Sequence, residues 1–443
     1  VLDRPPSPEH KRGANSTRSP GNSFMSYRAV KGMNDILPDE VARWHALERA
    51  FRETAELHGY AEIRTPVVEG TELFVRSIGE ATDVVEKEMY TFSRHSESLT
   101  LRPEGTAGAA RAYVEHKTHA KEPVSRWYYL GPMFRAERPQ RGRYRQFYQA
   151  GCEIFGDPGP ACDAEMIDML VGMFRRLGIP DVVASVGSIG GAATRERYRE
   201  TLRAFLQPKA GELSEHARTR LEQNPLRILD SKDPKDQAAC QGAPNILEVL
   251  DDADRAHWDA LRAHLDALGT PYVVDPLLVR GLDYYTRTLF ELKSSAGELG
   301  AQNTLCGGGR YDDMIRELGG PAVPAIGFAM GLERILLALG PMELPKRPPC
   351  SVAPLGARAV SKALELGRAL RDAGVTADVD GRGNSLKSML RRADGLGARY
   401  CIVIGDAELD RGVVQLKDLA GHSQEELPLG DVVARVAHSG GAA

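Results

Sequence analysis

Residues 126–155 constrain the fold more than any other stretch, because two strand-like runs lie on either side of a short arginine-rich turn. The runs RWYYLGPMF and RQFYQAGCEIF are rich in aromatic residues, which favour strands. The turn between them, at about 138–143, is too short for a crossover connection, so the two strands are expected to pair antiparallel. The sequence therefore predicts an antiparallel sheet around this hairpin.

The rest of the first 342 residues supplies further strands, several helices and one long helical stretch. Apolar spacing predicts a helix over 38–58, then a short edge strand that Pro66 interrupts, and EMYTFSR with ESLTLRPEG predicts a hairpin. Residues 193–270 are charged, helical in pattern and punctuated by prolines, which indicates an insertion between two halves of a sheet. Other patterns predict helices at 106–116 and 160–177, strands near 181–187 and 272–292, and a strand-to-helix unit in AIGFAMGLERILLAL.

A second domain is predicted beyond ELPKRPPC (343–350), whose prolines are typical of a linker. After it, strands and helices alternate over 351–443, as in a small α/β domain with a partly parallel sheet. At the other end, residues 1–25 are rich in Pro, Ser, Arg and Lys and lack an apolar core. We therefore expect a disordered leader, with Met25 close to the true start, and a folded domain over 26–342.

Composition argues against several classes of protein. No apolar run approaches the roughly 18 residues that a membrane-spanning helix needs. The net charge of −4 argues against a chain covered by nucleic acid, although local basic patches can still bind one. The six cysteines lie far apart without a CxxC pair, which is typical of neither a zinc site nor a disulfide scaffold. Reduced thiols in the cytoplasm are the expectation.

Arginine is concentrated in the turn of the central hairpin. Residues 135–145, the turn and its immediate flanks, contain one acid, Glu137, and five arginines: Arg135, Arg138, Arg141, Arg143 and Arg145. Such a cluster repels itself unless an anion is present, and arginine matches phosphate oxygens bidentately, although a solvated basic hairpin remains the alternative. Phe134 and Phe147 on the flanking strands favour the phosphate interpretation, because two rings can sandwich a planar base. Alternation also places Gln149 and Glu153 on one strand face.

Two glycine-containing stretches suggest a ligand. AIGFAMGLER places Arg334 in the first turn of a predicted helix, where it opposes the helix dipole but strengthens an anion site. A surface salt bridge is the alternative for this arginine. CGGGRYDDM (306–314) permits close approach of the backbone to a ligand, but glycine runs are also common turns. Neither a P-loop nor a strand-linked GxGxxG motif occurs, so ATP would need antiparallel strands with arginine clamps.

The stretch VRGLDYYTRTLFEL (279–292) gathers Arg280, Asp283 and two tyrosines at the start of a predicted strand. Asp283, with Glu104 and Glu153, has the chemistry to bind an ammonium group or an imidazole N–H. Acids beside so many arginines suggest a zwitterionic or basic small ligand next to a polyphosphate. The alternative, which stays open, is that each acid is a structural partner for a neighbouring arginine.

These motifs resemble those of bacterial-type histidyl-tRNA synthetases, a class II aminoacyl-tRNA synthetase family, from about Val30 to the C terminus. KGMNDILP with the following helix and the Pro66 strand is similar to motif 1, GPMFRAERPQRGRYRQFYQAGCEIFG to motif 2, and AIGFAMGLERIL to motif 3. RGLDYYTRTLFE and CGGGRYDDM resemble two stretches peculiar to the histidine enzymes. No motif position that carries chemistry departs from the family pattern.

The resemblance implies an α+β fold, in which a six-stranded antiparallel catalytic sheet with a helical insertion precedes an α/β anticodon-binding domain. It implies ATP-dependent attachment of L-histidine to tRNA(His) through a histidyl-adenylate, with Mg²⁺ accompanying ATP and no tightly bound metal or organic cofactor. It also implies a homodimer built on motif 1, a cytoplasmic location and no membrane partner.

Motif matching also implies the residues of the site. Arg280 and Arg135 are the implied catalytic residues, since Arg280 would bridge the histidine carboxylate and the α-phosphate that Arg135 grips. The implied histidine-binding residues are Glu104, Gly105, Thr106, Arg135, Gln149, Glu153, Arg280, Tyr284 and Tyr285. The implied ATP-binding residues are Arg135, Glu137, Arg143, Phe147 and Arg334.

Within these sets, Glu104, Thr106 and Gln149 would hold the α-amino end, Glu153 and Tyr284 would bind the imidazole, and Phe147 would stack on adenine. For tRNA, Arg138 and Gln140 are candidates for the acceptor end. The basic stretch 381–399 is a candidate phosphate-binding face, or else a solvated helix surface. Its candidate residues are Arg382, Lys387 and Arg391.

Two other functions are open to comparison. A catalytically inactive paralogue, such as the regulatory subunit of histidine-biosynthetic ATP phosphoribosyltransferase, tends to lose the arginine set and the C-terminal domain. Here Arg135, Arg280, Arg334 and the C-terminal domain pattern are all present. A tRNA-binding sensor fused to other modules would need an extra domain, for which the sequence offers no pattern.

Overall fold

A computed structural model describes residues 27–79, 82–280, 282, 284–295, 303–340 and 349–440 of the chain. The chain divides into two compact units, Val1–Met342 and Glu343–Ala443. The predicted leader, most of the predicted linker and Asp283 lie outside the described residues.

The first unit opens with a helix and a hairpin that the sequence predicted. Its elements up to the helical stretch are α1 (Pro38–Leu57), β1 (Ala61–Glu62), β2 (Val68–Gly70), α2 (Thr71–Ile78), β3 (Tyr90–Arg94), β4 (Glu97–Leu101), α3 (Thr106–Glu115), β5 (Ser125–Phe134), β6 (Gln146–Phe155), α4 (Pro160–Arg176) and β7 (Val183–Ser188). Pro38 begins α1, where a proline has no amide hydrogen bond to lose. Pro66 lies between β1 and β2, so the predicted interruption of that strand is confirmed.

Helices follow over the stretch predicted as an insertion, and strands then resume. The elements are α5 (Ala192–Leu206), α6 (Glu215–Gln223), α7 (Pro234–Ala239), α8 (Asp252–Leu268), β8 (Tyr272–Val274), β9 (Thr286–Lys293), β10 (Thr304–Arg310), α9 (Met314–Glu317), β11 (Ala325–Gly331) and α10 (Leu332–Leu339). The last helix of the stretch, α8, packs against α4 and contributes Trp258 and Leu261 to the main core. It is therefore integrated with the sheet domain.

The main sheet has the strand order β1-β5-β6-β11-β10-β9-β7-β8. The six central strands, β5 to β7 in this order, pair antiparallel throughout, as the family resemblance implied. The structure adds one parallel strand at each edge, β1 beside β5 and β8 beside β7. A separate small sheet has the order β2-β4-β3.

The two faces of the main sheet carry different cores. On β6, Cys152 and Ile154 pack into the large core that includes α1, α4 and α8. Phe155 lies on the other face, in a second core with Tyr113 of α3 and Met314 of α9. Because side chains alternate along a strand, Phe147, Gln149 and Glu153 share the face of Phe155. The candidate site lies on that face.

The second unit is a five-stranded sheet with helices. Its elements are β12 (Cys350–Leu355), α11 (Ala357–Asp372), β13 (Ala377–Val379), α12 (Leu386–Gly395), β14 (Tyr400–Gly405), α13 (Asp406–Arg411), β15 (Val413–Asp418), β16 (Ser423–Pro428) and α14 (Val432–Gly440). Strand β12 pairs parallel with both β13 and β14, and β14, β15 and β16 pair antiparallel. The partly parallel sheet was predicted, whereas β16 was missed, because its exposed SQEELP has little apolar character.

Candidate active site

A cleft of about 800 Å³ opens on the face of the main sheet that holds Phe147 and Gln149, and residues of β6, β10 and β11 line it. Polar and charged side chains dominate its lining, which is unusual for a pocket that takes an apolar ligand. The predicted site residues that line it are Glu104, Thr106, Arg135, Glu137, Arg143, Phe147, Gln149, Arg280, Tyr284, Tyr285 and Arg334. Residues predicted from four separate stretches of sequence therefore meet in one place.

One side-chain pairing predicted from the sequence is wrong. In the register of β5 and β6, Met133 lies opposite Phe147 and Phe134 lies opposite Gln146. Residues directly opposite in an antiparallel pair share a face, so Phe134 and Phe147 lie on opposite faces of the sheet. They cannot sandwich one base. The cation over the Phe147 ring is instead the Arg135 guanidinium, 5.4 Å from the ring centroid.

Glu104 ends a loop and accepts the first free amide hydrogens of α3. Its carboxylate accepts hydrogen bonds from the backbone N–H groups of Thr106 at 2.6 Å and Ala107 at 2.8 Å. Burial raises the pKa of Glu104, and these two amide hydrogen bonds act against that rise. Gly105 is required between them, because a Cβ at this position would overlap the Tyr129 ring.

Glu153 is fully buried in a cage of hydroxyl groups behind the cleft wall. Thr106 Oγ1 donates to one carboxylate oxygen at 2.7 Å and Tyr129 Oη at 3.2 Å, while Tyr311 Oη donates to the other. Desolvation raises the pKa of Glu153 to about 8. Gly327 faces this carboxylate and leaves no room for a side chain. A ligand would reach Glu153 only if one hydroxyl partner moved aside.

Three tyrosines form an aromatic wall in front of this carboxylate. The rings of Tyr284 and Tyr285 lie 4.5 Å apart, and Tyr311 meets Tyr284 edge-on at 5.6 Å. Burial raises the pKa of Tyr284 and of Tyr311 well above 10, so both stay neutral hydrogen-bonding groups. The sequence analysis missed Tyr311, although it lies in CGGGRYDDM and the strand alternation after Gly309 was available as a signal.

Arg280 lies at the edge of the same wall. Its guanidinium pairs with Glu291 and faces Gly307 of β10, where a Cβ would overlap it. The glycine run is therefore a strand that admits an arginine, and the alternative of a turn is wrong. Several buried side-chain atoms of the described residues lack a hydrogen-bond partner, and two of them, Arg280 Nε and Gln149 Oε1, belong to residues that line the cleft. At this position they are available to hydrogen-bond a ligand.

The other predicted arginines form a second group that lines the cleft. Arg135 donates from Nε to the Pro103 carbonyl at 2.8 Å, and Arg143 pairs with Glu137 at 3.1 Å. Arg334 lies in the first turn of α10 and donates to the Gly142 carbonyl at 3.4 Å. Burial, followed by repulsion from Arg143, lowers the pKa of Arg334. This concentration of positive charge favours a polyanionic ligand.

The helical stretch between β7 and β8 also lines the cleft, which the sequence analysis missed. Its contribution comes from α6 and the segment before α7: His216, Arg220, Arg227, Asp230, Ser231 and Lys232. Arg220 joins this wall to the main body through an ion pair with Asp83 at 3.2 Å. No local pattern predicts such an approach, because more than a hundred positions separate Asp83 from Arg220.

The remaining candidates are those predicted to contact tRNA. Arg138 and Gln140 are exposed at the hairpin tip, where Gln140 and Arg143 exchange backbone hydrogen bonds of 3.1 and 2.9 Å. In the second unit, Lys387 and Arg391 are exposed on α12. Arg382 already forms a two-point ion pair with Asp380 at 2.6 and 2.7 Å. A phosphate would compete with Asp380 for this arginine.

Three further findings concern possible metal ligands, cysteines and membrane spans in the described residues. No three of their His, Cys, Asp or Glu side chains converge as a bound metal would require. All six cysteines are buried and free. No helix of the described chain has the length and apolarity that crossing a bilayer takes.

Comparison with known proteins gives matches along most of the chain. Residues 32–335 match the family model of histidyl-tRNA synthetase, and residues 349–438 match that of an anticodon-binding domain. The chain is 65% identical to the histidine–tRNA ligase of Sorangium cellulosum, over 91% of this chain and 95% of that protein. It is 48% identical to the same enzyme of Syntrophotalea carbinolica, over 91% and 97% respectively. The crystal structure of apo S. aureus histidyl-tRNA synthetase superposes with a TM-score of 0.78 at 36% identity, covering 93% of this chain and all of that one.

Proposed function

This chain belongs to the histidyl-tRNA synthetase family, and on that premise we propose which residues of its cleft bind histidine and ATP and how they promote the reaction. The enzyme attaches L-histidine to tRNA(His) at the expense of ATP, through a histidyl-adenylate, and releases AMP and pyrophosphate. The inactive regulatory alternative has no support, because the relatives at 65% and 48% identity are both named as ligases.

The observation that carries the proposal is that one cleft holds two chemically different groups of side chains. The first group is the aromatic wall in front of the buried Glu153, and the second is Arg135, Arg143 and Arg334. The tyrosine group suits an uncharged five-membered ring with two nitrogens, and the arginine group suits a polyphosphate. Arg280 is close enough to Tyr285 and to Arg334 to interact electrostatically with both, and its Nε is buried without a partner among the described residues.

In the first step, a carboxylate oxygen of histidine attacks the α-phosphorus of ATP, and pyrophosphate leaves. Both reactants are anionic, so a fixed guanidinium between them aligns them and stabilises the charge of the displacement. We assign this role to Arg280, with Arg135 on the α-phosphate and Arg143 and Arg334 on the outer phosphates. Glu137 holds Arg143, and Phe147 stacks on adenine. Mg²⁺ enters with ATP as part of the substrate and neutralises the pyrophosphate.

Histidine is held at both its ends. Glu104, Thr106 and Gln149 hold the α-amino group. Gly105 lies just before α3 and, having no side chain, allows the start of this helix to approach the Tyr129 ring. Glu153, Tyr284 and Tyr285 select the ring, since polar groups built for two ring nitrogens are left unpaired by an amino acid that lacks them. In the second step, a ribose hydroxyl at the 3′ end of tRNA attacks the adenylate carbonyl, and AMP leaves.

The tRNA is bound by both units in this proposal. Arg138 and Gln140 contact the acceptor end, and Lys387, Arg391 and Arg382 form the phosphate-binding face of the second unit. The protein acts as a homodimer through the motif 1 region in the cytoplasm, where its six buried thiols stay reduced.

Histidine-dependent exchange of pyrophosphate into ATP tests this function, measured with each of the twenty amino acids in turn. We expect exchange with histidine alone, and loss of it by orders of magnitude in a folded Arg280→Ala variant. The change Arg316→Ala, at an exposed arginine of α9, is the matched control and should keep full exchange. Exchange with a different amino acid would contradict the ring assignment, and full activity of the Arg280→Ala variant would contradict the bridging role.

A further inference from the structure

Strand β9 contains an irregularity immediately after the pocket tyrosines. Along its pairing with β10, Gly309 faces Leu289 but the next residue, Arg310, faces Thr286. Arg287 and Thr288 are therefore extra residues on the β9 side, which makes this a bulge. Bulges bend a strand and change the direction in which nearby side chains point. Here the bulge begins two residues after Tyr285, which lines the cleft.

Arg287 has a left-handed backbone, with φ at 46°. A residue with a side chain rarely adopts this conformation unless its surroundings hold it there. Two backbone hydrogen bonds do so, from Arg287 N to the Gly190 carbonyl and from Ile189 N to the Arg287 carbonyl, both at 2.9 Å. The Arg287 side chain adds a third contact, from Nε to Asp254 Oδ1 at 3.0 Å.

Asp254 is the centre of these contacts and is itself almost fully buried. Its second oxygen accepts hydrogen bonds from Gly191 N and Thr194 Oγ1, both at 2.7 Å. Burial opposes its charge, but these hydrogen bonds and the Arg287 guanidinium hold the pKa of Asp254 below its ordinary value. Gly190 must be a glycine, because a Cβ there would overlap the Thr194 side chain.

The residues around the bulge come from both ends of the helical stretch. Gly190, Gly191 and Thr194 lie at the start of α5, and Asp254 lies in the first turn of α8. Arg195 of α5 adds a hydrogen bond to the Tyr285 carbonyl at 2.8 Å. The starts of α5 and α8 therefore hold both the bulge and the residue just before β9, Tyr285.

We propose that Asp254 is a positioning residue for histidine selection, which acts by holding the Arg287 bulge and so setting the direction of Tyr284 and Tyr285. The inference rests on the proposed function, in which these tyrosines line the histidine pocket. It also makes the starts of α5 and α8 determinants of amino-acid affinity, acting through the bulge and without direct contact with the amino acid. Small displacements of such groups have large effects on substrate alignment.

The test compares Asp254→Asn and Arg287→Gln with the full-length parent in pyrophosphate exchange, measuring KM for histidine and for ATP separately. Each variant is expected to raise KM for histidine about tenfold or more, with KM for ATP within about twofold of the parent. Asp252→Asn is the matched control, since Asp252 is an exposed aspartate in the same first turn of α8. It should leave both constants unchanged.

Thermal unfolding shows which variants fold, and Arg287→Gln keeps the test open if Asp254→Asn does not, because the Arg287 side chain is 31% exposed. The proposal is overturned if the folded variants keep the parental KM for histidine, or if both KM values rise together. Failure of the proposed function looks different, since the parent itself would then show no histidine-dependent exchange.

Discussion

At the scale of single residues, Glu153 is the most unusual ionisable group in the cleft region. Three hydroxyl donors, from Thr106, Tyr129 and Tyr311, converge on a carboxyl that is fully buried and has no cation within hydrogen-bonding distance among the described residues. Desolvation dominates, so the group holds its proton up to a pH of about 8. A neutral carboxyl next to neutral phenols is compatible with an uncharged imidazole and unfavourable for lysine or arginine side chains.

The Glu153→Gln variant tests this role. The amide keeps the volume but disturbs the three hydroxyl hydrogen bonds, so we expect KM for histidine in pyrophosphate exchange to rise about tenfold or more. KM for ATP should change little, because Arg135, Arg143 and Arg334 are untouched. Glu165→Gln is the control, at a partly exposed glutamate that pairs with Arg126. An equal rise in both KM values would contradict the assignment.

The same substitution has a pH signature in stability. The folded pKa of Glu153 is raised from the usual 4.5 to about 8, so its contribution to stability is full below pH 4.5 and is lost as the pH rises through 8. Glutamine does not titrate. Between pH 4.5 and pH 8 the free energy of unfolding of the parent should therefore fall, relative to that of the variant, by about 1.4 kcal/mol per pH unit. Urea unfolding at pH 5, 6.5 and 8 measures the difference, and a flat difference would show that Glu153 is ionised.

At the scale of elements, strand β10 shows how backbone without side chains creates a functional position. Gly307 leaves space for the Arg280 guanidinium, Gly308 for Phe290 and the Gly327 carbonyl, and Gly309 for the Thr288 carbonyl. Three successive glycines weaken a strand, since each lacks a side chain to pack. The cost is offset here by the sheet neighbours on both sides, β9 and β11. Arg280 is thereby packed against backbone, with few alternative positions.

A methyl group at position 307 should displace Arg280 without removing it. We expect kcat for pyrophosphate exchange to fall at least tenfold in the Gly307→Ala variant, because the cation proposed to bridge the two reactants would be displaced from between them. Gly70→Ala is the control, since a Cβ at Gly70 meets nothing within 4 Å. Parental kcat in a folded Gly307→Ala variant would show that Arg280 tolerates displacement and is not the bridging group.

Many of the helices and strands were predictable from the sequence, and the predictions that were wrong or ambiguous have physical causes. The helix from Pro38, the β3–β4 hairpin and the long β5–β6 pair follow from local patterning, which reports hydrophobic period and turn chemistry. Phe134 was assigned to the ligand side because its face depends on the register with Gln146, which no local pattern sets. The glycine strand was ambiguous for a similar reason, since its partner Arg280 lies 27 positions earlier.

At the scale of the whole molecule, the sequence predicted those residues of the cleft that belong to recognisable motifs. It did not predict the residues that reach the cleft only through tertiary contacts. Glu104, Arg135, Arg280 and Arg334 sit in distinctive local sequence and reach the cleft as expected. The wall that includes Arg220 and Lys232 comes from a stretch whose composition indicates only charged helix. Its approach depends on contacts such as the Arg220–Asp83 ion pair, which exist only once the chain has folded.

The two compact units allow activation and tRNA recognition to be separated experimentally. Among the described residues, those that line the cleft run from Asp83 to Arg334, and the second unit has apolar cores of its own, built on β12 and β14. A chain that ends at Met342 should therefore keep pyrophosphate exchange within about twofold of the parent. Charging of tRNA should fall about tenfold or more, because the proposed phosphate contacts of α12 would be lost.

Charge reversal in the full-length chain removes the same contacts without deleting the unit. Lys387→Glu with Arg391→Glu should weaken charging as the truncation does, with a shallower dependence on salt than the parent shows, while exchange stays unchanged. Arg358→Glu with Arg368→Glu makes the same change of charge on exposed positions of α11 and is the matched control. Equal loss from both pairs would mean that net charge, and no particular face, attracts the tRNA. Full charging by the truncated chain would remove the second unit from recognition, since the cleft and the hairpin tip at Arg138 would then suffice.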